Sequence, residues 1–264
     1  MATEHTLYDN FVLENKITDL MNTKLDIRSL FTTDTSLTQA AGLRKTINKY
    51  TYTGEVEKLA KGAKNSKKGK VTFAPTEYIV ERYQQTYEYN DMDVMKDPMI
   101  IDVASRGAAE VMVNQIKTQF FAELTKISNS YEYTGDLNYD AVVDALAAIG
   151  EETEEGMFLM LGLDGKKQIR KDPEFKASRQ GEILYSGQFG TVCGLPVCFS
   201  KLMPADTSYI TKKDAITFFV KKEGSIEQDR DIETKDNWVV YERHGLIALT
   251  DDTKSIKLTK QASA

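Results

Sequence analysis

The residues best suited to chemistry are scarce in this sequence, and their spacing fits no reaction centre. The 264 residues include two cysteines, Cys193 and Cys198, and two histidines, His5 and His244. The cysteine spacing matches neither a redox pair nor a zinc motif, and it favours small buried side chains in a reducing compartment. Two histidines supply too little material for a catalytic triad or a histidine-rich metal site. We therefore expect no catalytic residue, no cofactor and no metal.

Two other patterns resemble fragments of active sites. Asp229 and Asp231 could exchange protons in acid–base catalysis, but such closely spaced acids are common and nothing nearby would raise a pKa. Gly187 and Gly190 stand between strand-like segments, and no helix or Gly-Lys-Ser/Thr follows them, which argues against a phosphate-binding loop. A soluble α+β enzyme remains an alternative, and a monomer with a deep pocket would favour it.

Composition describes an ordinary soluble chain. Hydrophobic residues make up 41% of it and charged residues 28%, which is typical of a globular protein. The formal net charge of −6 argues against general nucleic-acid binding by the whole surface. The opening MATEHT lacks the apolar region of a signal peptide, and no apolar run is long enough to cross a bilayer.

The longest predicted element is a helix from Asp97 to about Asn129. Asp97 suits the N-cap and Pro98 the first helical position. Apolar residues then recur every three or four positions, at Ile101, Ala104, Ala108, Met112, Ile116, Phe120, Leu124 and Ile127. Such a helix would be about 45 Å long. We expect it to be the spine on which the rest of the chain packs.

The residues before this helix predict an arm. Ile17, Leu20, Met21 and Leu25 fall on one face of a short helix. An extended apolar segment follows, and then a threonine-rich linker from Thr32 to Gln39. An amphipathic arm must lie on something else, either its own domain or another subunit.

A long two-stranded ribbon is predicted between the arm and the spine. One strand covers residues 43–52 and the other residues 71–89, both rich in Thr, Ile and Tyr. Neither strand shows a clean apolar face, so the ribbon is not expected to enter a core. An isolated two-stranded ribbon is marginal in water, and we expect it to dock on a partner.

The tip of this ribbon is basic. It contains six lysines without an acid among them, namely Lys58, Lys61, Lys64, Lys67, Lys68 and Lys70. Three interpretations stay open: a solvated loop, a nucleic-acid contact without the usual aromatic residues, or a finger that contacts an acidic patch on an identical neighbour. Under the third, the six lysines are candidate intersubunit contacts.

Alternating elements follow the spine. Asn138 should cap a helix from Tyr139 to Ile149 that ends at Gly150, and Asp164 should cap a short helix to Lys171. A buried strand is predicted at residues 157–161, and glycine turns separate short strands near residues 183–200. The last part predicts strands at residues 215–220, 226–232, 237–249 and 255–258, with turns at residues 223–224 and 251–252.

The order of these elements resembles the major capsid protein of tailed bacteriophages, which has the Hong Kong 97 fold. Four stretches carry the resemblance: LYDNFVLENKI, YNDMDVMKDPMIIDVASRGAAEVMVNQI, GQFGTVCGLPVCFSKLMP and DRDIETKDNWVVYERHGLIALTDDTKSIKL. They are similar, in order, to the arm, the end of the extended loop with the spine helix, the axial-domain turns and the closing peripheral strands. The resemblance spans nearly the whole chain.

The resemblance implies an α+β fold with four parts. Residues 1–40 would be the N-terminal arm, residues 41–90 the extended loop, residues 91–131 and 223–264 the peripheral domain, and residues 132–222 the axial domain. It implies self-assembly through pentamers and hexamers into an icosahedral shell around double-stranded DNA. The protein would then be found in the virion, after assembly in the host bacterial cytoplasm, and would not be an enzyme.

The resemblance also implies partners. Arm-like sequence begins within the first ten residues, so we expect a separate scaffolding protein, together with a portal, DNA on the inner face and no membrane. No lysine or asparagine matches the crosslinking pair of some relatives. An encapsulin-type nanocompartment shell shares this fold and is the alternative function, which neighbouring cargo genes would favour.

Overall fold

The computed structural model describes residues 10–24, 30–150, 155–173 and 191–261. The helices in these ranges are α1 (Asn10–Lys24), α2 (Asp91–Lys96), α3 (Ile100–Leu124), α4 (Tyr139–Ile149) and α5 (Leu163–Lys171). The strands are β1 (Thr32–Asp34), β2 (Arg44–Thr53), β3 (Lys70–Ile79), β4 (Glu81–Asn90), β5 (Ser130–Tyr133), β6 (Met157–Leu161), β7 (Thr191–Val192), β8 (Leu195–Phe199), β9 (Thr207–Lys212), β10 (Ile216–Arg230), β11 (Asp236–Leu249) and β12 (Ser255–Lys260).

The strands form three sheets. A four-stranded sheet has the order β1-β10-β11-β4, and a six-stranded sheet has the order β5-β12-β9-β6-β8-β7. Strands β2 and β3 pair only with each other and form a separate antiparallel ribbon. Strand β9 was absent from the sequence prediction, although it lies buried in the middle of the six-stranded sheet.

The predicted spine is helix α3, shorter than expected at both ends. It has 25 residues, which gives a length of about 37 Å. Asp97 does not cap it directly. Its Oδ1 accepts a hydrogen bond from the amide of Met99, which lies in the turn that precedes the helix. At the other end, Ser128 and Asn129 leave the helix and donate hydrogen bonds to the loop at Asp252.

The main hydrophobic core surrounds α3. Met112, Ile116 and Phe120 lie in one buried cluster with Val239 and Tyr241 of β11, as the apolar spacing predicted. Helix α1 adds Leu13, Ile17 and Met21 to the same cluster. The part of the arm that the structure describes therefore packs on its own chain.

The second predicted strand of the ribbon is in fact two strands in two sheets. Strand β3 pairs with β2, whereas β4 pairs with β11 in the four-stranded sheet. The division falls at Val80, whose side chain is buried and whose amide donates to the Leu43 carbonyl at 2.8 Å. Burial of Val80 against Phe219 and Leu246 anchors the base of the ribbon on the body.

Two predicted irregular segments also belong to the four-stranded sheet. The expected linker at residues 32–39 contains β1, parallel to β10, and a short 3-10 helix that buries Leu37. The turn expected at Glu223-Gly224 is instead an irregularity inside β10, where its register against β11 shifts twice. A side chain at position 224 would collide with the ring of Tyr241, so the close approach of that ring requires glycine.

The six-stranded sheet carries the second core on one face. Leu159 and Ile210 pack there against Val142 and Ala145 of α4 and Ile169 of α5. The opposite face, which includes Phe158, Met160 and Tyr209, joins the core around α3.

Helix α4 begins and ends as predicted. Asn138 Oδ1 accepts from the Ala141 amide at 3.0 Å, and Gly150 ends the helix with a φ of +73°. Helix α5 begins after Gly162 rather than with a cap by Asp164. The predictions at Leu25 and for the short strands and glycine turns at residues 183–190 lie outside the described residues.

Candidate assembly surfaces

The structure brings the cysteines and His244 into no common site. Cys193 lies in the turn between β7 and β8, and Cys198 lies in β8; both side chains are half-buried. His244 lies in β11, in register with Lys222 and Arg82 on the neighbouring strands. Its Nδ1 atom is buried without a hydrogen-bond partner. His5 lies outside the described residues.

Asp229 and Asp231, the closely spaced acids, are held by backbone amides. Asp229 Oδ1 accepts from the Arg230 amide at 2.8 Å. Asp231 Oδ1 accepts from the Glu233 amide at 2.8 Å, and this bond, together with one from Thr234, holds the pKa of Asp231 below its ordinary value. A general acid needs a raised pKa, so Asp231 is tuned in the opposite direction and serves to fix the turn between β10 and β11.

A cleft of about 370 Å³ lies between α3 and the base of the ribbon. Its polar lining includes Glu77, Glu81, Glu123 and Lys126. Lys126 Nζ contacts Glu123 Oε1 at 2.5 Å. Burial is the main cause of the raised pKa of Tyr78 in the same wall, and the negative charge of Glu123 adds to it. The lining of this cleft contains no cysteine, histidine or serine.

In the described ranges, no group of three or more His, Cys, Asp or Glu side chains is placed to hold a metal ion. None of the helices there is long and apolar enough to cross a membrane.

The ribbon is the part of the described chain that is least buried. Neither β2 nor β3 contains a buried residue. Their register places Tyr50 opposite Phe73 and Tyr52 opposite Val71, with the Tyr50 and Phe73 ring centroids 6.3 Å apart. These four side chains, here called the aromatic face, are 58–71% exposed. The cost of leaving so much apolar surface in water points to a covering partner.

The aromatic face was not predicted from the sequence. The signal was present, because Tyr50 and Tyr52, like Val71 and Phe73, stand two residues apart and therefore point to one side of a strand. Each strand alone has only two such residues, and only the register unites them. Glycines at the tip extend the flat surface: the Tyr52 ring lies over Gly54 and Gly69, where any Cβ would collide with it.

All six predicted lysines lie on this ribbon and are exposed. Lys70 opens β3, opposite Thr53, and the other five lie in the tip between the strands. Lys67 pairs with Glu55 within the tip. In the described chain, the other five make no ion pair.

Two glutamates that precede the lysines organise the tip: Glu55, which pairs with Lys67, and Glu57. Glu57 Oε2 accepts from the Ser66 amide at 2.8 Å and from the Ser66 hydroxyl at 2.9 Å. The amide bond is the main cause of the lowered pKa of Glu57. The two sides of the tip are therefore tied together, and the lysines project from a closed end.

Comparison with known proteins gives one consistent class. A family model described as "Phage capsid protein" matches residues 73–258. The major capsid protein of Staphylococcus phage phiMR11 is 23% identical over 252 residues, covering 90% of this chain and 88% of that protein.

Solved structures agree on the fold. The capsid structure of cyanophage P-SCSP1u matches with a TM-score of 0.71 at 11% identity, over 89% of this chain and 87% of that one. The capsid of a native GTA particle matches with a TM-score of 0.72 at 12% identity, over 90% of both chains. The Hong Kong 97 fold expected from the sequence is confirmed. The chain belongs to the phage capsid protein family, as a major capsid protein with a structural role rather than an enzymatic one.

Proposed function

We propose that this chain assembles with itself, through pentamers and hexamers, into the icosahedral shell of a tailed phage. The observation that carries the proposal is the exposed ribbon. A two-stranded ribbon is marginal in water, and this one leaves an aromatic face uncovered. Contacts between two different surfaces of identical subunits close into rings, and a ribbon that projects from the body supplies one of the two surfaces.

The four-part division of the chain is part of the proposal. It assigns residues 1–40 to an arm, 41–90 to an extended loop, 91–131 with 223–264 to a peripheral domain, and 132–222 to an axial domain. The two hydrophobic cores support a division of the body into two units. Two strands cross the proposed boundaries, namely β5 at residues 130–133 and β10 at residues 216–230. In addition, β12 of the peripheral range pairs with β5 and β9 in the six-stranded sheet.

The six lysines of the tip are proposed to contact a neighbouring copy. They are exposed, and in the described chain only Lys67 has an ionic partner. Setting these six charges aside from the net charge of −6 leaves −12 on the rest of the chain. An identical neighbour therefore presents a mostly acidic surface, which attracts the tip.

The remaining partners follow from a shell that encloses a genome. Double-stranded DNA would contact the inner face without sequence specificity, and a separate scaffolding protein and a portal would guide assembly in the host bacterial cytoplasm. The product is the virion. The family match favours this role over a nanocompartment shell.

Sedimentation of the purified chain at high concentration, followed by electron microscopy, tests the proposal. We expect megadalton particles, or rings of five or six subunits. A single 29.7 kDa species at every concentration would contradict it. Particles that hold an enzyme cargo in place of DNA would support the nanocompartment instead.

A further inference from the structure

A second uncovered apolar surface lies at the far end of the strand that leaves the ribbon. Met92 and Met95 on α2, Met99 in the turn before α3 and Val103 in its first turn are 53–64% exposed. They follow one another at intervals of three or four residues, and α2 buries no residue at all. These four side chains are here called the methionine stripe. Methionine is flexible and polarisable, and it makes favourable contacts with aromatic rings.

The aromatic face cannot cover the methionine stripe of its own chain. Strand β4 separates the base of the ribbon from α2, and its ten residues span about 33 Å. No turn or bend interrupts the chain where β3 passes into β4 at Val80. The ribbon and the stripe therefore lie at opposite ends of one extended run. Whatever joins these two surfaces must come from another copy.

The two segments are complementary in charge as well as in polarity. Residues 44–79, which form the ribbon and its tip, contain nine Lys and Arg against three Glu. Residues 91–111, which carry the stripe, contain five Asp and Glu against two Lys and Arg. Three of these acids pair within the chain, Asp91 with Arg230, Asp93 with Lys96 and Asp102 with Lys16, so the segment together with Lys16 and Arg230 keeps five acids against four cations, a net charge of −1. Opposite charge around two apolar patches steers one surface to the other and disfavours contacts between like surfaces.

We infer that the aromatic face of one copy docks on the methionine stripe of a second copy. This inference rests on the proposed function and names the two surfaces of its contact. Phe73 and Tyr50 contact the thioethers of the partner's Met95 and the partner's Met99. Because the two surfaces differ, each copy donates its ribbon to one neighbour and receives the ribbon of another, and the contacts close into a ring.

Photo-crosslinking in assembled particles tests the docking directly. The photoreactive residue p-benzoylphenylalanine replaces Phe73 in one sample and Thr72 in the other. Thr72 is the matched control, because it is also exposed but points to the opposite side of β3. Particles assembled from ¹⁵N-labelled and unlabelled chains show by mass spectrometry whether a crosslink joins two copies. We expect position 73, and not position 72, to capture a peptide containing residues 92–103 of a second copy.

A double-mutant cycle tests whether the two surfaces touch. Phe73→Ser and Met95→Ser change exposed side chains, so both subunits should fold, and each should raise the concentration needed for assembly about tenfold. The double variant should require much less than the product of the two effects, because the second change removes a contact already lost. Thr72→Ser should change nothing.

The outcomes separate this inference from the function on which it rests. Normal particles in which position 73 captures another surface, or in which the two substitutions multiply fully, would overturn the docking and leave the shell intact. If the unaltered chain forms neither rings nor particles, the proposed function fails, and the docking fails with it.

Discussion

The spine helix and the ribbon are held in opposite ways. Helix α3 buries eleven of its 25 residues against α1, β4 and β11 of its own chain. Strands β2 and β3 are joined by ten paired positions and bury no residue. The spine is therefore fixed by side-chain packing inside the subunit, whereas the ribbon is attached to the body at its base, where Val80 is buried and Ile47 and Tyr78 pack partly buried against the same cluster.

This difference separates the stability of the subunit from the stability of the assembly. A change in the spine should act on folding, because its side chains have no other place in the molecule. A change on the ribbon should leave folding almost untouched and act where copies meet. Variants in the two regions test this division.

Ile116→Asp should have the largest effect. Ile116 is 1% exposed in the core around α3, so the variant buries an unpaired carboxylate and removes apolar packing, at a cost of about 3–5 kcal/mol. We expect insoluble or proteolysed subunits, measured as the soluble fraction after expression. Gln115→Asp is the matched control on the exposed side of the same helix turn. A soluble, assembling Ile116→Asp chain would show that this face is not core.

Reversal of charge at the ribbon tip should leave the subunit folded and disrupt assembly instead. Converting Lys61, Lys64, Lys67 and Lys68 to Glu changes the tip by eight charge units, while a single exposed ion pair contributes only about 0–1 kcal/mol. We expect normally folded subunits that fail to form stable shells at low salt and recover partly as salt screens the repulsion. Single Lys→Ala changes should be nearly silent. Particle yield across a salt series, with and without DNA, is the measurement.

The same series separates the three interpretations of the tip. A merely solvated tip predicts assembly like that of the unaltered chain at every salt concentration. A tip that binds DNA predicts normal empty particles with poor DNA retention. Only a contact between copies predicts a loss of empty particles that salt reverses.

Local signals in the sequence predicted the elements whose ends depend on neighbouring residues. Asn138 and Gly150 set both ends of α4, and the three-to-four spacing of Met112, Ile116 and Phe120 identified the buried side of α3. The passage at Val80 from ribbon to sheet could not be predicted in this way, since it depends on pairing with β11 more than 150 positions later.

For the candidate surfaces, the sequence showed the charge of the tip but not the arrangement of the apolar side chains on the ribbon. Six lysines in a short run are visible in any sequence. The aromatic face exists only because Tyr50 and Phe73, 23 positions apart, become neighbours through one register. A register shifted by one residue would have placed the two rings on different sides of the ribbon.

Gly224→Ala should have an intermediate effect on the body. A Cβ there meets the ring of Tyr241, which is 1% exposed and cannot move aside. Such overpacking costs about 1–3 kcal/mol. Gly107→Ala is the contrasting variant, because a Cβ at this position in α3 meets nothing within 4 Å and alanine favours the helix by about 0.5–1 kcal/mol. Thermal melting of unassembled subunits should fall for the first and rise for the second.

The smallest expected effect concerns the carboxylate that ties three strands together where the ribbon joins the body. Glu242 on β11 contacts Lys222 of β10 at 2.7 Å and Arg82 of β4 at 2.8 Å. The hydrogen bond from Lys222 is the main cause that holds the pKa of Glu242 below its ordinary value. A depressed pKa means that this stabilisation is fully present at neutral pH and is lost in the acid window between the ordinary glutamate pKa and the lowered folded-state pKa.

Glu242→Gln should therefore lower the free energy of unfolding at pH 7 by about 1 kcal/mol, and the difference from the unaltered chain should vanish near the acid end of that window. Urea unfolding of unassembled subunits at several pH values measures it. Glu77→Gln is the matched change on the ribbon, where Glu77 pairs with Arg44 at 3.0 Å and both side chains are more than half exposed. Because that pair is solvated, we expect almost no change in subunit unfolding at any pH. Equal losses for the two variants would mean that the ribbon contributes to the fold of its own subunit, and the division between spine and ribbon would not hold.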